Sequence, residues 1–201
     1  MANIDAASGL SPVSYLNGSP WSGGGRVYSI ASGNTDIFAI GDPVVLEGGA
    51  DANGIATVAL ATAGATNSVL GAIISGAGAL GYGGSYGIPQ ESPTVIPSVK
   101  TRAYYVLVAD DPNTIFEIQE VTGGTALTAA AVGLNAPLIA GTNNGYVSGW
   151  ELNNVGETAG GTEQLKLLGL APRADNAFGE HAKWLVLINL HCYRIGQVGY
   201  S

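Results

Sequence analysis

Charge is what this sequence has least of. Only 11% of its 201 residues are Asp, Glu, Lys or Arg, which removes most of the material from which exposed helices are built. The 7 basic residues, Arg26, Lys100, Arg102, Lys166, Arg173, Lys183 and Arg194, form no cluster. Neutralising a phosphate backbone takes a patch of cations, so direct nucleic-acid binding is not expected. Cys192 is the 1 cysteine and cannot close an internal disulfide, which fits folding in a reducing cytoplasm. No basic stretch followed by an apolar core opens the chain, so no secretory leader is expected. Residues 52–90 carry no charge. They are broken by Gly, Thr, Ser and Asn and lack a solid apolar block of roughly 20 residues, so no membrane partner is expected either.

What is abundant is glycine, 31 residues, together with an acidic excess of 15 over 7 that leaves a net charge of −8. Turns and strands should dominate such a chain, and its length suits one domain with a sizeable core. A charge-poor surface on a chain of positive mean hydropathy points to a surface covered by a partner in the working state. A compact glycine-rich β domain, whose small residues inflate the apolar fraction, is the competing explanation.

The most structured stretch is residues 104–121. Residues 104–109 are a continuous run of β-favouring apolar side chains, and from Thr114 the pattern becomes two-faced, with Phe116 and Ile118 opposite Glu117 and Gln119. Between them, Asp110-Asp111-Pro112-Asn113 reads as a reversal, so the unit is expected to be a β-hairpin. Further strands are expected at residues 26–30, 37–40, 43–46, 55–61, 69–74, 146–152, 164–170 and 184–190. Residues 126–131 alone have a helix-friendly composition and are too short to stand by themselves. About ten short strands at close spacing predict an all-β chain, a β-sandwich or barrel.

Residues 1–25 have neither helical nor strand period, yet carry Leu10, Val13, Tyr15, Leu16 and Trp21. They are expected to form an extended N-terminal arm lying on another surface, ahead of a single domain over 26–201; a loop wrapped over the domain's own core is the alternative. Residues 75–93 form a Gly-, Tyr- and Pro-rich excursion suited to an interaction loop. Leu10, Tyr15, Leu16 and Trp21 are therefore the candidate arm anchors, and Tyr82 and Tyr86 the candidate contacts in the loop.

No catalytic constellation emerges. Residues 76–81 match the letters of a dinucleotide fingerprint, but no helix follows to meet a pyrophosphate and no acidic residue stands where the ribose would need it. Residues 83–87 match a nucleophile elbow, but Pro89 and Pro93 forbid the helix that exposes its serine. Asp51-Ala52-Asn53-Gly54 resembles half a calcium loop without the closing glutamate and reads as a turn. His191 and Cys192 adjoin on an expected strand, so their side chains point to opposite faces, and His181 stands alone in a loop. No cofactor, no metal and no enzymatic activity are expected.

Five segments together resemble one group of proteins: 16–21 (Leu-Asn-Gly-Ser-Pro-Trp), 40–46 with 51–54, 105–112 with 116–120, 132–136, and 182–190. They are similar to the cement, or decoration, proteins on the head of short-tailed bacteriophages. The resemblance covers nearly the whole chain and rests on structural segments. It implies a jelly-roll-like sandwich, a homodimer or homotrimer, the major capsid protein as partner, and a place on the outer surface of the virion, assembled in the host cytoplasm. The expected function is to cement neighbouring capsomers against the pressure of packed DNA, the alternative being a tail or fibre module that binds a host-surface glycan.

Overall fold

The structure is a computed structural model that describes residues 3–76, 95–100 and 104–194. It is all-β, as expected, with fourteen strands in the described residues and a single 3-10 turn at Ala129–Ala131.

Five strands close a barrel: β2 (Arg26–Ile30), β4 (Pro43–Ala50), β5 (Ala56–Leu60), β6 (Gly71–Gly76) and β8 (Tyr104–Ala109), in the order β2-β5-β4-β6-β8. Every ladder is antiparallel except β2 with β5, which touch in parallel at Ser29 and Thr57. Alternation decides what fills the barrel. Tyr28, Ile30, Val44, Val58, Ile73, Val106 and Val108 pack together inside it, with Phe38 and Ile96 from the short pair β3 (Phe38–Ala39) and β7 (Val95–Ile96) closing over them.

A second, open sheet has the order β1-β9-β14-β13-β10, with β1 (Ser11–Tyr15), β9 (Thr114–Gln119), β14 (Lys183–Ile188), β13 (Leu165–Leu170) and β10 (Asn135–Ala136). Its inner face supplies large side chains, Phe116, Ile118, Leu165, Leu167, Trp184, Val186 and Ile188, while the barrel side of the same core offers the smaller Ala61, Val69, Ala72 and Ala109. Large against small lets the two layers approach at close packing. Leu138, Trp150 and Leu152, from the short pair β11 (Leu138–Ile139) and β12 (Glu151–Leu152), complete that core.

Two expectations change here. Strands β8 and β9 both form, but they are not a hairpin: β8 pairs with β2 and β6 in the barrel, and β9 pairs with β1 and β14 in the open sheet. The turn between them is where the chain leaves one sheet for the other, because Asp110 is drawn inward by Arg26 and Tyr28. The ladders trace a closed barrel beside an open sheet, within the expected sandwich or barrel class. Finally, the described part of the expected arm lies along the domain itself. Leu10 is 1% exposed within the main core and donates its N–H to the Gly41 carbonyl at 2.9 Å, so it is a core residue and no partner can reach it.

Candidate interaction surface

Strand β1 is the edge strand of the open sheet, paired to β9 on its inner side and bridged on its outer side by the returning chain, Ser14 opposite Pro20. Its ladder slips between Pro12 and Ser14, and the bulge turns Val13 outward, 38% exposed. Proline and a bulge are devices that keep an edge from templating another strand. Beyond Tyr15 the chain folds straight back. Gly18 donates to Tyr15 O, Tyr15 N to Ser19 O and Trp21 N to Val13 O, at 2.9, 2.9 and 3.1 Å. Asn17 Oδ1 accepts both the backbone N–H and the hydroxyl of Ser19, which locks the tip. Gly18 sits at φ +86°, a conformation that side chains resist. Leu16 N–H reaches Asn113 O at 2.8 Å, tying this return to the turn between β8 and β9.

A groove opens between those two pieces. Its larger part, about 570 Å³, is lined by Tyr15, Leu16, Asn17, Ser19, Asp111 and Asn113. A second part of about 360 Å³ continues past Gly24, Gly25, Arg26, Asp110 and Pro112 and shares Tyr15 and Asp111 with the first. Leu16 is 55% exposed at the rim. Trp21 is half-buried and donates its indole N–H to Gly24 O at 3.2 Å, so its ring lies over the start of the loop that leads to β2.

Asp110 and Asp111 have different fates. Asp110 is buried, and its Oδ2 accepts from Arg26 Nε at 2.7 Å and from the Tyr28 hydroxyl at 2.6 Å. The Tyr28 hydroxyl also meets that of Tyr193 at 2.9 Å, and the Arg26 guanidinium lies 5.0 Å from the centre of the Tyr193 ring. Burial first, and then the Asp110 carboxylate, hold the Tyr28 hydroxyl protonated far above the ordinary tyrosine range. Asp111 is exposed; its Oδ1 accepts Asn113 N–H at 2.8 Å and it forms no ion pair among the described residues.

A second polar cluster lies where residues 3–6 cross the ends of β9 and β14. Lys183 and Gln119 face each other across that ladder, and Lys183 Nζ donates to Gln119 Oε1 at 2.8 Å and to Ala6 O at 2.6 Å. Gln119 Nε2 donates to Asp5 Oδ1 and Glu151 Oε1, both at 2.8 Å, and approaches His181 Nδ1 at 3.3 Å. Burial lowers the Lys183 ammonium and raises the Glu151 carboxyl from their ordinary values. Asp5, Glu151 and His181 present ligand atoms within 4.8 Å of one another, a spacing that a metal ion could use. The Gln119 amide nitrogen already touches all three. Its carbonyl cannot turn to replace it, because Oε1 is fixed by Lys183 and by Ala6 N–H at 2.8 Å. The cluster is a clasp for the N-terminal segment, and the reading of His181 as a solitary loop residue is corrected by it.

Other buried polar groups are structural. Glu120 is fully buried and accepts from Leu127 N and Trp184 Nε1 at 2.8 and 2.9 Å, pinning the excursion that follows β9, and burial raises its carboxyl above the usual range. Asp51 caps its turn by accepting from Asn53 N and Ile55 N at 2.9 and 2.8 Å and receives the Tyr105 hydroxyl at 2.7 Å. His191 and Cys192 lie beyond the end of β14, where His191 bridges to Val69, so they do not alternate along a strand as the sequence suggested.

Of the residues singled out from sequence, the structure thus gathers Tyr15 and Leu16 in one groove, sets Trp21 on the loop beside it and removes Leu10 to the core. Tyr82 and Tyr86, with the two glycine-rich motifs, lie outside the described residues. Asp111 and Asn113 were missed as groove residues because a turn accounted for them completely. The class that emerges is an all-β protein whose distinctive surface is an open groove, part apolar and part acidic, at the edge of its sheet. No protein-family model, no curated protein and no solved structure matches the chain.

Proposed function

We propose that this chain is a virion structural protein that binds the outside of a bacteriophage head and cements neighbouring capsomers of the major capsid protein. The observation that carries the reading is apolar surface left exposed at the edge of the open sheet. Val13 and Leu16 are exposed there beside half-buried Tyr15 and Trp21, and Leu16 and Trp21 bound the 16–21 segment that takes part in the resemblance to cement proteins. A few aromatic and aliphatic anchors at the centre of a patch supply most of an interface's energy.

Cementing lowers the free energy of the assembled shell only, so each contact repeated by symmetry favours the closed shell over separated capsomers. A homodimer or homotrimer would multiply those contacts, and the net charge of −8 would keep decorated particles apart. No reaction is needed for this role.

The test is co-sedimentation of the purified protein with head shells that lack it. Saturable binding at a fixed copy number is expected; a pellet free of the protein at all concentrations, with both unexpanded and expanded shells, sinks the proposal. A second reading, a tail or fibre module for a host-surface glycan, is favoured by the company Tyr15 keeps with Asn17, Ser19, Asp111 and Asn113. An aromatic face with planar polar groups around it also suits a sugar ring. Binding of the isolated protein to host cells, lost on Tyr15→Ala, would move that reading to the front.

A further inference from the structure

The groove beside Tyr15 has two unlike walls. One is the Tyr15 ring and the Leu16 side chain; the other is the turn from Asp111 to Asn113. Most of the polar groups in it are already engaged. Asn17 Oδ1 is occupied by Ser19, and Asn113 O by Leu16 N–H. Asp110, deeper in, has its Oδ2 shared between Arg26 and Tyr28. Among the residues that line the groove's larger part, Asp111 is the charged one. Its Oδ1 holds the turn, while its second oxygen makes no hydrogen bond and the carboxylate no ion pair among the described residues, the Arg194 guanidinium donating instead to Pro112 O at 3.3 Å. Arg26, which lines the same groove, is committed to Asp110 at 2.7 Å and stacked on Tyr193.

What the groove leaves on offer is therefore the Tyr15 and Leu16 side chains on one side and, on the other, a carboxylate that forms no ion pair among the described residues. The ligand chemistry that matches is a long aliphatic stem with a cationic head. Lysine and arginine lay their methylene stems along apolar surface and keep the charge at the tip, and arginine adds a planar fork that a carboxylate receives well. The chain's net charge of −8 acts in the same direction, drawing a cation-bearing partner before contact.

We infer that the groove receives a lysine or arginine side chain from a capsid-protein segment, its stem against Tyr15 and Leu16 and its charge on Asp111. This rests on the reading of the chain as a head-binding protein and names the chemistry of the partner at that surface. The fold does not depend on the charge, since Asp111→Asn keeps the oxygen that accepts Asn113 N–H.

Two measurements separate the two claims. In the first, binding to shells lacking the protein is followed across a salt series for the wild type and for Asp111→Asn. Wild-type affinity is expected to fall as salt rises, and the variant to bind about ten-fold more weakly with a flatter salt dependence. Wild-type binding with an unchanged Asp111→Asn affinity and salt slope overturns the inference and leaves head binding standing. In the second, nuclear magnetic resonance follows the wild type titrated with the peptide acetyl-Leu-Arg-Leu-amide and with its uncharged citrulline counterpart. Saturable shifts at Tyr15, Leu16 and Asn113 are expected with the arginine peptide only, and none of them in Asp111→Asn. Equal shifts with both peptides, or none, overturn the cationic preference whether or not the shells are bound.

Discussion

Tyr28, inside the barrel, donates its hydroxyl to Asp110 Oδ2 across 2.6 Å, at the turn by which the chain leaves for the open sheet. Arg26 shares that oxygen at 2.7 Å, so a single carboxylate ties two residues of β2 to the end of β8. Tyr28→Phe removes one donor and leaves the carboxylate paired, a loss of about 1 kcal/mol. Asp110→Ala removes the Arg26 pairing together with the Tyr28 bond, leaving the Tyr28 hydroxyl with Tyr193 alone, and should cost roughly 2–3 kcal/mol. Urea midpoints of the two variants check the order, and an Asp110→Ala protein as stable as the wild type would contradict it.

The same turn explains how far the sequence could be read. The strands on either side of it follow from composition alone, because residues 104–109 are apolar without a break and Phe116 and Ile118 alternate with Glu117 and Gln119. Their pairing does not follow, since the partners of β8 are β2 and β6, distant in the chain, and local pattern carries no information about them. Strand β1 escaped notice for the opposite reason: Pro12 and a bulge interrupt its alternation, as suits an edge. The groove was half legible. Tyr15 and Leu16 stood out as large side chains in a stretch without period, whereas Leu10, equally prominent there, belongs to the core, and only coordinates separate the two cases.

Leu10 and Leu16 make that difference measurable. Leu10→Ala empties a fully buried position in the main core and should cost about 2–5 kcal/mol, with shell binding intact in whatever protein remains folded. Leu16→Ala, at a residue 55% exposed, should change stability by less than about 0.5 kcal/mol while weakening shell binding. Thermal unfolding paired with co-sedimentation checks both, and the reverse pattern would place Leu16 in the fold and Leu10 at the interface.

His191 makes the fold sensitive to acid. It is completely buried, its Nδ1 accepts Tyr193 N–H at 3.0 Å and its Nε2 meets no hydrogen-bond partner of good geometry among the described residues. Burial first, then the nearby Arg194, lowers its pKa to about 4, against some help to the cation from Asp111. A histidine depressed in the fold stays neutral there, so its contribution is fully present above about 6.5 and is lost as pH falls toward 4, in all roughly 3 kcal/mol. Glu120 and Glu151, whose carboxyls are raised by burial, act in the opposite sense. The comparison is therefore between the wild type and His191→Gln. The wild type should lose more stability than the variant between pH 6.5 and pH 4, and parallel urea profiles over that interval would contradict the assignment.

Gly41 tests how the N-terminal segment is held. It lies at φ +91°, and a Cβ there would run into the Ser8 carbonyl oxygen. Gly41→Ala should therefore lift residues 8–10 from their seat, exposing Leu10 and costing roughly 2 kcal/mol or more. Proteolysis within the first ten residues should accelerate in the variant; wild-type resistance would show that the segment accommodates the methyl group.

The proposed strengthening of a phage head is directly measurable. Its most direct test is the melting temperature of DNA-filled heads that lack the protein, measured before and after saturation with it. A rise that grows with occupancy and is reduced by Leu16→Ala is the predicted result. Saturated heads that melt at the temperature of bare ones would contradict the claim, however tightly the protein binds.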